Sequence, residues 1–318
     1  MDRREFLLKS GRAAALAIAT GAVGVAFHNR EIVGQPEVVA LKPDFKVAAA
    51  SQLPTVVAAT NKDPELALRA ALAAIGGIGR FVKAGERVTI KPNIGWDRTA
   101  EQAANTSPLL VAEMVRQCLA AGAAEVVVSD ISCNESRRCF LRSGIREAAE
   151  TAGAKVLLPS DDDFIQSDLG GAILTEWPVL RHFIECDKLI NMPIVKQHSL
   201  SRCTIGMKNL YGILGGRRNQ LHQQIDQSIV DLTAFATPTL TVVDATRVLT
   251  RGGPQGGSLD DVIHPDTVIC ATDPVAADAR GCEFLGLEAD QVAHIKLAQK
   301  SGLGTIDYRA AGYQEIAG

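Results

Sequence analysis

The densest chemistry in the sequence lies between residues 196 and 222, where Lys196, His198, Arg202, Lys208, Asn209, Arg217, Arg218 and His222 crowd into one stretch. Cations and imidazoles gathered this way suit an anionic ligand: a carboxylate, a phosphate or an enolate-like intermediate. Lys208 and Asn209 sit among Ile205, Met207, Leu210 and Tyr211. A lysine desolvated in such a setting has a lowered pKa and serves as a base or holds an oxyanion. Lys208, His198 and Lys196 are therefore the expected catalytic groups. Arg217 and Arg218 read instead as a solvated loop.

Other polar residues follow apolar runs. Lys91 and Asn93 come after Val88-Thr89-Ile90, Asp130 after Val126-Val127-Val128-Ser129, Asp244 after Val242-Val243, and Asp273 after Val268-Ile269-Cys270-Ala271. Ligands of open parallel sheets sit at the carboxyl ends of strands, so these residues are expected to share a pocket with Lys196 and His198. Lys91, Asn93, Asn209 and Gly253 are the expected substrate contacts. Gly253 belongs to Arg251-Gly252-Gly253-Pro254-Gln255-Gly256-Gly257, a loop whose backbone can approach a ligand closely. That loop lacks the lysine ending of a P-loop and the spacing of a dinucleotide fingerprint. His198, His222, Asp130, Asp273 and Asp278 are ligand types suited to iron, zinc or manganese. Asp130, Asp273 and His222 form the candidate metal set, although no HxH, HxxxH or HExxH spacing accompanies them. No G-x-S-x-G elbow points to a serine hydrolase.

These residues need strands and helices to position them. Asp63-Pro64-Glu65 starts a helix with Asp63 as N-cap, and Gly76-Gly77 ends it. Ser107-Pro108 starts a second that stops at Gly122. Helices are also expected over 144–151, 220–234, 275–284 and 290–300. Strands are expected over 56–59, 87–90, 126–130, 155–158, 188–193, 239–244 and 267–271. Strands alternating with helices predict βαβ units. The expected fold class is α/β: a mainly parallel sheet flanked by helices in three layers, forming a single mature domain.

The bulk numbers agree with a globular chain: 318 residues, 47% hydrophobic and 22% charged. A net charge of −3 and 4% aromatics argue against nucleic-acid binding, which needs a basic field and stacking platforms. Seven cysteines without a CxxC pair make neither a disulfide scaffold nor a recognisable zinc or iron–sulfur site; export would permit a Cys133–Cys139 disulfide. The first residues, Met1-Asp2-Arg3-Arg4-Glu5-Phe6-Leu7-Leu8-Lys9, followed by the apolar stretch from Ala13 to Phe27, read as a twin-arginine signal peptide over 1–27. The twin-arginine translocation machinery is then a partner, the destination is the periplasm, and membrane contact is confined to the signal, cleaved near Gly24-Val25-Ala26 or kept as an anchor. Residues 28–50 read as a linker and 51–318 as the α/β domain.

One series of motifs is more specific than its parts. It runs Lys91-Pro92-Asn93, Asn191-Met192-Pro193 with Lys196-Gln197-His198, Met207-Lys208-Asn209-Leu210-Tyr211-Gly212, Gly252-Gly253-Pro254, Asp273-Pro274-Val275-Ala276-Ala277-Asp278 and Gly302-Leu303-Gly304. From about residue 55 onward this order resembles the bacterial and archaeal family called domain of unknown function 362. The resemblance implies Lys91, Asn93, Lys196, His198, Lys208, Asn209, Asp273 and Asp278 as shared polar positions. Some relatives carry a ferredoxin-like iron–sulfur module; here no four-cysteine run follows Gly302. The leading expectation is an exported enzyme acting on a small anionic ligand through a Lys/His pocket. Two alternatives stay open: a redox-associated protein exported with a metal or iron–sulfur cluster, and a non-catalytic periplasmic binding or assembly factor.

Overall fold

The computed structural model describes residues 38–39, 43–48 and 50–317. The expected signal peptide therefore lies outside the described residues. No helix among those described is long and apolar enough to cross a membrane.

In chain order the main strands are β1 (Val56–Thr60), β2 (Arg87–Pro92), β3 (Glu125–Val128), β4 (Lys155–Val156), β5 (Phe164–Asp168), β6 (Glu176–Leu180), β7 (Lys188–Met192), β8 (Ile194–His198), β9 (Arg202–Thr204), β10 (Leu240–Leu249), β11 (Val262–Ile263), β12 (Thr267–Ala271) and β13 (Tyr313–Ala317). The helices are α1 (Pro64–Ala74), α2 (Pro108–Ala120), α3 (Ser136–Arg142), α4 (Ile145–Thr151), α5 (Gly206–Asn209), α6 (Ile225–Phe235), α7 (Pro274–Cys282) and α8 (Ala293–Lys300). Among the described residues the main sheet runs β13-β1-β12-β10-β7-β2-β3-β4, with β8, β9 and β11 branching from β10 and β8.

The run β10-β7-β2-β3-β4 is parallel, whereas β12 is antiparallel to both β1 and β10. The sheet is mainly parallel, as expected, with an antiparallel insertion that apolar periodicity could not announce. Alternation along the strands feeds two cores. Val57, Ala59, Val88, Ile90 and Val242 pack with α1, α2 and α4 on one face; Val56, Ala58, Leu189, Val243 and Ile269 pack with α6, α7 and α8 on the other. Strand side chains alternate with period two, so each helical layer covers every second residue and the three layers follow.

Local signals held where they were strong. Asp63 accepts hydrogen bonds from Glu65 N and Leu66 N and caps α1. Ser107 sits at the N-cap of α2 without a side-chain capping bond; its own N–H donates to Asp244 Oδ2 at 2.8 Å. The β5–β6 hairpin, the short strands β9 and β11, edge strand β13 and the short helices α3 and α5 were not expected, and β8 carries the run on beyond Pro193, where it was expected to end. Three residues of the segment read as a linker make tertiary contacts, Val47 by packing against the core under α1, α2 and α4. Val39 bridges to Ser167, and Phe45 is buried in the core under α6 to α8.

Candidate functional site

Lys91 reaches the site because of register. In β2, Val88 and Ile90 face one core, so Thr89 and Lys91 emerge on the other face, beside Leu189 and Asn191 of β7. The Lys91 side chain is wholly buried, and Nζ donates to Asp130 Oδ1 at 2.7 Å, Pro92 O at 3.0 Å and Asn209 Oδ1 at 3.3 Å. Asp130, at the end of β3, takes the Ile94 N–H on Oδ2 at 2.6 Å. Burial lowers the Lys91 pKa, and the Asp130 charge opposes that shift. The pair is thus a fixed buried ion pair.

Around it runs an amide network. Asn93 Nδ2 donates to Asn209 Oδ1 at 2.8 Å, Asn209 Nδ2 to Asn191 Oδ1 at 2.8 Å, and Asn191 Nδ2 to Gly206 O at 2.8 Å. Lys196 joins the network from β8, donating to Asn93 Oδ1 at 2.9 Å and Ala104 O at 2.6 Å. Gly212 lets this cluster close: a Cβ there would sit 1.8 Å from Asp130 Oδ1 and 2.6 Å from Lys91 Nζ. The glycine is required by close approach and not by an unusual φ.

Lys208 stands on the short helix α5, anchored from below by Asp278. That carboxylate is fully buried and accepts from Gly206 N at 2.7 Å and Met207 N at 3.2 Å. Burial pushes the Asp278 pKa up to about 7. Lys208 is only 8% exposed, and its Nζ lies 3.5 Å from the centre of the Tyr211 ring, a cation–π contact. Burial lowers the pKa of Lys208 to about 7, with Arg218 and Lys196 adding to the effect; burial likewise takes Lys196 to about 7.

His198 is a defined tautomer. Its Nδ1 faces the N–H groups of Leu200 at 3.1 Å and Ser201 at 3.3 Å; with two donors aimed at it, Nδ1 is the acceptor and Nε2 carries the hydrogen. Burial, then the charges of Lys208 and Lys196, depress its pKa to about 3. His198 is therefore a neutral hydrogen-bond donor and not an imidazolium.

Lys91, Asn93, Asp130, Lys196, His198, Lys208 and Asn209 line one cavity of about 540 Å³, together with Trp96, Cys133, Tyr211, Arg217, Arg218 and His222. Of the expected site residues, Lys91, Asn93, Lys196, His198, Lys208, Asn209, Asp130 and His222 meet there. Gly253 does not line it. A Cβ on Gly253 would fall 1.8 Å from Gln197 O, so this glycine serves a close backbone crossing, and its neighbour Pro254 reaches the cavity instead.

The metal expectation needs correction. Asp130 is committed to Lys91 and Ile94 N, while Asp273 lies at a different hollow and caps α7, accepting from Val275 N, Ala276 N and Thr305 N. His222 therefore has neither as a co-ligand. Among the described residues no three His, Cys, Asp or Glu side chains gather as a metal set, and all seven cysteines are free thiols, Cys133 and Cys139 included. Asp244 is also absent from the cavity. It accepts from Ser107 N, Thr246 N, Thr246 Oγ1 and Arg247.

Arg218 corrects the solvated-loop expectation in the other direction. It donates to Ile131 O at 3.0 Å and Ser132 O at 2.9 Å and so ties its loop to the cavity wall. Tyr211 was read only as apolar surroundings, and Trp96 and Cys133 carried no sequence signal as site residues.

Comparisons with known proteins agree with the motif series. The family described as "Domain of unknown function (DUF362)" matches residues 88–283, more than half of the chain. A thylakoid-associated protein of Synechocystis sp. is 25% identical over 250 residues, covering 74% of each chain. Among solved structures, the lactate racemase apoprotein of Thermoanaerobacterium thermosaccharolyticum aligns at a TM-score of 0.43 and 11% identity, over 79% of this chain and 62% of its own. A structural-genomics protein from Thermotoga maritima aligns at 0.42 and 11% identity, over 71% and 59%. The chain thus spans about three fifths of the length of these two solved structures.

Proposed function

The chain belongs to the DUF362 family, and from that premise we propose that it is an exported protein that binds and acts on a small anionic substrate, a carboxylate or a phosphate, in the pocket between Lys91, Lys196 and Lys208. One observation carries this reading. Five cationic side chains line the pocket, and Asp130, its one carboxylate among the described residues, is already committed to Lys91.

Buried cations without a counter-ion are disfavoured, and a bound anion offsets that cost. Lys196 and Lys208 take the negative charge, and His198 offers its Nε2–H to an oxygen that gains charge during reaction. The Lys91–Asp130 pair and the Asn93–Asn209–Asn191 network hold these groups in place. Binding an anion raises the two lysine pKa values from about 7, so association takes up protons near neutral pH.

Thermal unfolding with phosphate, acetate and pyruvate tests the reading. A ligand at about a hundred times its dissociation constant stabilises by ~2.7 kcal/mol, and the Lys208→Met protein is expected to lose that shift while remaining folded. If no anion raises the wild-type midpoint, or if Lys208→Met and His198→Ala respond as the wild type does, the proposal fails.

The export part rests on Arg3-Arg4 and the apolar stretch behind them. It takes residues 1–27 as the signal, 28–50 as a tether and 51–318 as the folded cargo. Changing both arginines to lysine is expected to leave the protein in the cytoplasmic fraction. Wild-type levels in the periplasm would remove this part alone.

A further inference from the structure

Three lysines reach one pocket, but their amines are not equivalent. Lys91 Nζ has three acceptors within 3.3 Å, one of them a carboxylate. Lys196 Nζ has two, at 2.9 and 2.6 Å, so one of its three N–H bonds is left for the pocket. Lys208 Nζ has no hydrogen-bond or ion-pair partner among the described residues. It rests on the Tyr211 ring face, more than nine-tenths buried, and opens into the cavity. A pocket built only to hold an anion electrostatically would have no reason to keep one amine so bare beside one that is fully tied down and one that is mostly so.

We infer that Lys208 is a nucleophile, and that the substrate is a carbonyl compound that also carries an anionic group, such as a 2-oxo acid or a phosphorylated ketose. This rests on the anion-pocket reading above, because the anionic group must be held before the carbonyl meets the amine. In the step, the lone pair of neutral Lys208 Nζ attacks the carbonyl carbon. The C–N bond forms, the C–O π pair moves to oxygen, and the proton shed by nitrogen ends on that oxygen as a carbinolamine. The nitrogen lone pair then expels hydroxide, which takes a proton from the Lys196 ammonium and leaves as water. The product is a protonated imine on Lys208; solvent reprotonates Lys196. No oxidant or reductant is consumed.

The surroundings suit each stage. His198 supplies an Nε2–H to the carbonyl oxygen as charge builds on it. The Tyr211 ring face, which now carries the ammonium, can carry the cationic imine in its place. Arg218 remains for the carboxylate or phosphate while Lys196 delivers its proton. Desolvation by burial and the neighbouring cations, which lower the Lys208 pKa to about 7, leave a large fraction of its amine neutral at physiological pH.

Borohydride trapping followed by peptide mass mapping tests the assignment on the intact protein. Pyruvate and dihydroxyacetone phosphate serve as carbonyl probes; acetate and inorganic phosphate serve as controls without a carbonyl. The expected result is one adduct per chain, on Lys208, heavier by the probe's acid form less one oxygen atom, and none with either control. The probe that gives the adduct tells the oxo acid from the phosphorylated ketose. Lys208→Arg keeps the charge, so it should keep a ligand-induced thermal shift and lose the adduct; mapping on the wild type decides the matter even if that variant does not fold. Thermal stabilisation by both probes without any adduct would overturn the nucleophile and leave the anion pocket standing. Neither stabilisation nor adduct would remove both. An adduct on Lys196, or scattered over surface lysines, would also overturn the assignment.

Discussion

Two sets of wholly or partly buried charge in this molecule are treated in opposite ways. The carboxylates Asp244, Asp273 and Asp278 each have both oxygens occupied by backbone N–H groups, a hydroxyl or an arginine. The pocket lysines share a single carboxylate, Asp130, which serves only Lys91. Both look alike as letters in the sequence. The difference is one of saturation: a charge whose bonding capacity is filled by its own fold is structural, and a desolvated charge with capacity to spare is poised for something that arrives from outside.

Three experiments break or sharpen this contrast. The largest effect is expected for Lys91→Met, which strands Asp130 without its partner. Breaking a buried pair costs about 3–5 kcal/mol, and the denaturant midpoint should fall accordingly. The double change Lys91→Met with Asp130→Leu should recover much of that loss. A silent single variant would mean that Lys91 belongs with the uncommitted charges. Next is Asp278→Ala, which leaves the Gly206 and Met207 N–H groups unpaired beneath Lys208. About 2–3 kcal/mol is expected, and Asp278→Asn, which still offers a carbonyl oxygen, should lose about half as much; equal losses from the two would show that the carboxylate charge, and not its hydrogen bonds, matters.

The smallest effect is in pH. The folded pKa of Lys196 and Lys208 is about 7, below the ordinary 10.5 of an unfolded chain. Between those values the unfolded state binds more protons, so the stability of the ligand-free protein rises with pH. From pH 7 to 8 these two amines together should add about 2 kcal/mol to the unfolding free energy, and the Lys196→Met, Lys208→Met double variant should lose that rise. A wild-type profile already flat over this unit would say that the two amines are better solvated than their burial implies.

Much of the fold was legible residue by residue. The Asp63 cap, the β-branched run Val126-Val127-Val128 and the alternation of strand and helix were enough for an α/β assignment. The antiparallel placement of β12 was not, because strand direction is set by where the chain returns after β10 and not by the composition of Thr267–Ala271. Edge strand β13 and the β5–β6 hairpin were missed because residues such as Gln314, Glu315, Gln166 and Asp168 keep an exposed or half-covered strand polar.

For the site, the sequence by itself determined which residues could bear charge and that Lys91, Lys196, His198 and Lys208 lay near the ends of strands or in apolar company. Only the tertiary structure decided that Asp244 and Asp273 leave this group, that Arg218 joins it, and that Gly212 must be small for it to close. It alone decided that Lys91 is paired while Lys208 is bare. The physical reason is that a charge's chemistry depends on its desolvation and on which partners lie within hydrogen-bond reach. Those partners come from segments as far apart as Lys91 and Asn209, which no local pattern brings together.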